Sequence, residues 1–180
     1  PFPAVIPALS GDQMVTHSGP DGELRLLWVL ERLPGRTFAE ALPKSATLIH
    51  DLGRVIGTSD LALADFTDPG LTRDFKWDLM QAQWITTEIA SIATGPRRVS
   101  LERIVAEFDT IHPALQRLPS QAVHNDVNDY NILVDGALSQ PHYISGLIDL
   151  GDICAAPRIC NLAIAAAYLV LDAPDPEKRL

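Results

Sequence analysis

Residues 124–136 read HNDVNDYNILVDG: three Asp and three Asn side chains around one His, and then an apolar run. His124, Asp126 and Asn131 fit the spacing H-x-D-x4-N, and Asp149 follows in LIDLGD at the end of an apolar stretch. Such a set can move a phosphoryl group from a nucleotide to a hydroxyl. One carboxylate must meet the attacking hydroxyl, and Asp126 suits that task. A second carboxylate and an amide oxygen must hold Mg²⁺ against the phosphates. Asp149 and Asn131 suit that task, because Mg²⁺ prefers hard oxygen ligands. A loop carrying Asp126, a strand starting at Asn131 and a facing strand ending at Asp149 would aim all three into one cleft.

The neighbouring residues admit quieter readings. His124 is read as structural, its ring bonded to backbone near the loop. Asp152 either supports the metal site from behind or caps the turn DLGD. Asn128 and Asp129 point to substrate or are solvated loop positions. His17, His50, His112 and His142 show no metal-ligand spacing.

The elements that must position these residues follow from periodicity. QMVTHSGPDGELRLLWVL reads as a hairpin turning at SGPDGE. ERLPGRTF breaks that pattern as a linker. After Pro43 the period becomes helical: Ser45 caps a helix whose Leu48, Ile49, Leu52, Val55 and Ile56 share a face. A second helix is expected over 77–94, stopping at Gly95-Pro96, and a third after Ser100 with Leu101, Ile104, Val105 and Phe108 on one side. Strands are expected at 131–135 and 145–150, joined by GALSQPHY. The stretch 157–171, apolar nearly all round, reads as a buried helix. The sum is an α+β arrangement with a small strand part over 1–34 and a mainly helical part over 35–180.

Composition narrows the class. The 180 residues are 47% hydrophobic, so the chain is globular. A formal net charge of −9 argues against nucleic acid as a partner and agrees with a small cationic substrate or bound metal ions. Cys154 and Cys160 form no CxxC motif and read as buried thiols of a reducing compartment. No signal peptide opens the chain, and its longest apolar run, 162–171, is too short for a bilayer, so a cytoplasmic location without membrane contact is expected. Both ends read as cut, since PFPAVIPALSG lacks a Met and begins inside a strand-like region.

HNDVNDYN with ISGLIDLGD and NLAIAAAYLVL resembles the aminoglycoside phosphotransferase and choline kinase family, most of all its hydroxylysine kinase branch. RLLWVLERLPG and KWDL (76–79) extend the likeness, which runs from about residue 4 to residue 176. The resemblance implies a protein-kinase-like fold with a truncated β-rich N-lobe. It implies ATP or GTP as co-substrate, Mg²⁺, and an acceptor that is a small amine or amino alcohol (hydroxylysine-, aminoglycoside-, choline- or homoserine-like). Glu31, Arg32 and Leu33 would be the hinge whose main-chain groups meet a purine edge. Trp77 and Asp78 would border an amine pocket. Asn161 stands where the family often has an Asp that braces the catalytic loop.

The likeness fails at the front. SGPDGE lacks the spacing of a phosphate-covering loop, and no Lys precedes the hinge, the lysines being Lys44, Lys76 and Lys178. These parts are expected upstream of Pro1, so residues 1–180 alone are expected to show little activity. Exposed hinge strands would leave a sheet edge that favours self-association. Two rivals stand beside the kinase reading: a nucleotide-binding or pseudokinase-like module of a larger polypeptide, and a metal-dependent phosphohydrolase.

Overall fold

Turn chemistry sets the local structure of the first residues. Gly22 takes φ +77° and its N–H closes onto the Gly19 carbonyl at 2.9 Å, while the Asp21 carboxylate accepts from the Glu23 N–H and from the Arg25 guanidinium. A computed structural model describes residues 2–136, 142–171 and 173 of the chain. The expected connection GALSQPHY falls mostly outside the described residues, as does Lys178.

The chain divides into two compact units, Pro1–Asp51 with Tyr130–Ile148, and Leu52–Asp129 with Asp149–Leu180. In the first unit, β1 (Val5–Ile6), β2 (Val15–Ser18), β3 (Leu24–Leu27) and β4 (Val29–Leu30) make two antiparallel ribbons, β1 with β4 and β2 with β3. The expected hairpin is thus β2–β3, but Val29 and Leu30 leave it to pair with Ile6 and Val5.

A three-stranded sheet completes this unit: β5 (Arg36–Thr37), β7 (Ile132–Asp135) and β8 (Tyr143–Leu147), in the order β5-β7-β8. The β5–β7 pair corrects the linker reading of ERLPGRTF, because Arg36 and Thr37 pair with Val134 and Leu133. Gly35 makes that approach feasible. It has φ +117°, and a Cβ there would meet the Val134 carbonyl oxygen at 2.6 Å and Ser145 Oγ at 2.8 Å. Phe38, Ile132, Val134, Ile144 and Leu147 form the buried face. The Asp51 carboxylate accepts from the Ile144 N–H at 2.7 Å.

The helix α1 (Ala46–Ala62) begins in the first unit and ends in the second. Ser45 Oγ accepts from the Leu48 N–H at 3.2 Å, the expected cap, and Leu48, Leu52, Val55 and Ile56 are buried.

The second unit holds α2 (Trp84–Ile89), α3 (Pro96–Leu115), α4 (Arg158–Val170) and an antiparallel pair, β6 (Ser120–Val123) with β9 (Cys154–Pro157). Neither strand of that pair was expected. The helix expected over 77–94 is broken into a 3-10 turn, Leu79–Gln81, and the short α2. Local bonds break it: the Asp78 carboxylate caps the Met80 N–H at 2.9 Å, and Trp84 Nε1 donates to the Lys76 carbonyl. Gly95-Pro96 starts a helix instead of stopping one, since Pro fits the first turn, where its missing N–H costs nothing. On α3, Leu101, Val105 and Phe108 are half-buried as expected, but Ile104 is exposed. α4 is not buried all round. It turns Cys160, Asn161, Ala165 and Leu169 inward and leaves Ile159 and Leu162 exposed. Val123, Cys154, Ala156 and Cys160 pack as one cluster with Leu79 and Met80. Both cysteines are free and buried, and burial followed by the charge of Asp78 pushes their thiols up to about 12 and about 11. No helix among the described residues is long and apolar enough to cross a membrane.

Gly35→Ala will lower the unfolding free energy by about 1–3 kcal/mol, because it adds a clash to a left-handed backbone. Gly53→Ala is the control: its Cβ meets nothing within 4 Å inside α1. It will raise stability by about 0.5–1 kcal/mol. Denaturant midpoints of the two variants measure both effects.

Candidate active site

The loop that follows β6 is held from behind. His124 is fully buried, and its Nδ1 accepts from the Asp126 N–H at 3.3 Å, so that nitrogen carries a lone pair there. Asn125 adopts φ +64°, a left-handed conformation that Asn tolerates better than most residues. Its N–H donates to Asn161 Oδ1 at 3.2 Å, and its Nδ2 donates to the Trp77 carbonyl at 3.1 Å. The tight reversal at Asn125 brings Asp126 forward, and Asn128 Nδ2 donates to Asp126 Oδ1 at 2.9 Å. Val127 is buried beneath the loop.

A second turn, Leu150–Asp152, begins at Asp149, the other non-glycine residue with positive φ among the described residues, +63°. Arg73 straps this turn: Nη1 donates to the Ile153 carbonyl at 2.9 Å and Nη2 to the Gly151 carbonyl at 3.1 Å. Burial and the negative charges of Asp126 and Asp149 raise the Asp152 carboxyl above its ordinary value, with Arg73 and His124 opposing. Asp126 and Asp149 thus act electrostatically on Asp152.

A cavity of about 420 Å³ opens here, lined by Trp77, Asn125, Asp126, Asp152, Ile164 and Tyr168. Its lining combines two carboxylates with two aromatic rings. Such a lining can hold an ammonium group by charge and by a ring face while an oxygen approaches Asp126.

The structure thus gathers Asp126, Asp152 and Trp77 at one cavity. Asp78 is turned away from it: the side chain is buried and accepts from the Met80 N–H and from Gln81 Nε2. Asn128 reaches Asp126, and Asp129 is half-buried. Asn131, Glu31, Arg32 and Leu33 belong to the first unit. There Asn131 is buried, and its carbonyl accepts from the Ile148 N–H at 2.9 Å. The Glu31 N–H is engaged by the Ala4 carbonyl at 2.8 Å. Among the described residues, no three His, Cys, Asp or Glu side chains form a group able to hold a metal ion by themselves.

Sequence reasoning missed Asn125, Ile164, Tyr168 and Asp60. Ile164 and Tyr168 lie one helical turn apart, on the side of α4 that also carries Asn161. The one hydroxyl within that apolar stretch was the signal available. Asp60 bonds to Asn161 at 2.8 Å, and nothing in its local sequence announced this.

The family model described as "Phosphotransferase enzyme family" matches residues 4–178. The hydroxylysine kinase of Mus musculus is 27% identical over 168 residues, which cover 88% of this chain and 44% of that protein. The hydroxylysine kinase of Danio rerio is 26% identical over 184 residues, covering 98% and 52%. The chain spans about half the length of these curated relatives. Among solved structures, a microcompartment-associated aminopropanol kinase shares the fold with a TM-score of 0.63 at 22% identity, over 96% of this chain and 54% of that one. An aminoglycoside phosphotransferase from Streptomyces rimosus gives 0.58 at 18%, over 99% and 63%.

Asp152 yields a pH prediction. Its folded-state value is raised, so the stability linked to it is complete below the ordinary carboxyl range and is lost as pH rises through the raised value. Asp152→Asn, never charged, escapes that loss. In chelated, nucleotide-free buffer its melting temperature will exceed the parent's at neutral pH, and the gap will close in acid. A melting series against pH measures it.

Proposed function

The chain belongs to the phosphotransferase enzyme family, and we propose that it carries the acceptor side of a small-molecule kinase. The reaction moves the γ-phosphate of ATP or GTP to a hydroxyl of a small amine or amino alcohol. The observation that carries this reading is the cavity lined together by Asp126, Asp152, Trp77 and Tyr168. Asp126 accepts the proton of the attacking hydroxyl, and Asn128 and the His124–Asp126 backbone bond keep its carboxylate in place. Asp152 and the ring of Trp77 attract the ammonium group of the acceptor. The curated relatives are named hydroxylysine kinases, and hydroxylysine has both the hydroxyl and the amine that such a cavity would select.

Asn131 and Asp149 would hold Mg²⁺. The residues present fit the ion: both offer hard oxygen donors, and the carboxylates that raise Asp152 form a negative field that a divalent cation relieves. When bound, Mg²⁺ offsets the charge of the nucleotide phosphates. Glu31, Arg32 and Leu33 would meet the purine through main-chain groups, with the Glu31 carbonyl as acceptor, since its N–H is engaged. We keep the division at residues 34 and 35 as the lobe boundary. The β2–β3 ribbon, exposed along its whole length, supports self-association through its edges. Two free, buried thiols agree with a cytoplasmic setting.

In the intact enzyme, Asp126→Asn will lower kcat by about 10²–10⁴-fold with nucleotide affinity little changed. Asp149→Ala will abolish Mg²⁺-dependent turnover while the fold persists. Turnover assays with a panel of amino alcohols, paired with nucleotide titrations, separate the two roles. Equal loss of nucleotide binding in both variants would contradict them.

A further inference from the structure

Asp60 stands outside the loop and has no part in the reading above. It lies near the end of α1 and is 6% exposed, and its backbone carbonyl accepts from Gln121 Nε2 at 2.6 Å. Its Oδ1 accepts from Asn161 Nδ2 at 2.8 Å. Asn161 is fully buried on α4, and its Oδ1 accepts from the Asn125 N–H at 3.2 Å. These bonds fix the orientation of the Asn161 amide. A backbone N–H can only donate, so the amide oxygen must face Asn125, and the amide nitrogen must then face an acceptor. Asp60 is that acceptor. Were it apolar, the Asn161 amide would lose the partner that selects this orientation and leave a buried donor unmet.

The Asn125 N–H sits one bond network away from the reacting group. Asn125 holds φ +64°, and Asp126 follows it directly. We propose that Asp60 is a positioning residue: by accepting from Asn161 it orients the amide that clamps the left-handed Asn125, and so sets the direction of the Asp126 carboxylate. The inference rests on the reading of Asp126 as the acceptor-side base. Burial raises the Asp60 carboxyl, with the Asn161 hydrogen bond and the charge of Arg158 opposing. Retaining a carboxylate in a site that resists its charge agrees with a role in orientation.

The bond pattern makes a demand that packing alone does not. Position 60 must accept from position 161, or the pair must exchange roles. Asp60→Asn keeps an acceptor, because its amide oxygen can face Asn161. Asp60→Leu, close in volume, keeps none. Asn161→Asp alone sets two buried carboxylates against each other with no donor between them. Combined with Asp60→Asn, it restores the chain, since the new amide donates to the new carboxylate and the latter still accepts from Asn125.

The test is steady-state kinetics of these four variants and Asp126→Asn in the intact enzyme, below their melting temperatures, with hydrogen exchange at the Asn125 amide. Asn161→Asp and Asp60→Leu will lose about 10²-fold in kcat, the scale of a small misplacement of a reacting group. Nucleotide KM will stay unchanged, and Asn125 protection will fall. Asp60→Asn and the double variant will stay near the parent in all three. Where Asn161→Asp fails to fold, the contrast between Asp60→Leu and Asp60→Asn carries the test. Parental kcat in Asp60→Leu, or a folded double variant as slow as Asn161→Asp, overturns the proposal. Full turnover by Asp126→Asn overturns instead the reading beneath it, so the two failures are told apart.

Discussion

One buried amide, Asn161, connects what the Asp126 loop needs with what the helices can supply. A loop that leaves a strand, reverses at a left-handed residue and presents a carboxylate has few backbone partners of its own. Asn125 has φ +64°, and its N–H would be a buried donor without acceptor if Asn161 were absent. The amide fills that need from α4 and is held in turn by Asp60 from α1. Three segments distant in sequence thus meet through two hydrogen bonds, and the loop inherits the rigidity of the helices. His124 adds a local constraint by accepting from the Asp126 N–H.

Electrostatics then gives this geometry its chemistry. Asp126 and Asp149 raise the cost of charge on Asp152, and Arg73 relieves only part of it while strapping the turn that carries Asp152. An arrangement left short of positive charge attracts cations. The net charge of −9 has the same sign, but the local cluster gives it direction. Trp77 and Tyr168 line the same cavity as Asp126 and Asp152, so the lining suits a ligand with a charged amine and a polar oxygen on a short carbon frame.

Much of this was legible in the sequence where short-range rules govern. The H-x-D-x4-N spacing, the Ser45 cap and the β2–β3 turn each depend on residues a few positions apart. The failures share a cause as well. Arg36 and Thr37 become a strand only because Val134 and Leu133 lie alongside, and β6 only because Cys154–Pro157 does. The break at residues 77–84 rests on side-chain bonds from Asp78 and Trp84 that override helical periodicity. Nothing near Asp60 in the sequence marks it, and only the position of Asn161 shows what it meets. Asp78, which the resemblance sets with Trp77 beside an amine pocket, spends its oxygens on a turn.

The central claim is that this site serves a hydroxyl acceptor that carries an amine. The direct measurement is phosphorus NMR of the intact enzyme with nucleotide, Mg²⁺ and an amino alcohol, beside the same amine lacking the hydroxyl. The account predicts a phosphate monoester resonance coupled to the acceptor carbon protons, and none with the hydroxyl-free amine. Inorganic phosphate released at the same rate with either compound, and no ester, would contradict it.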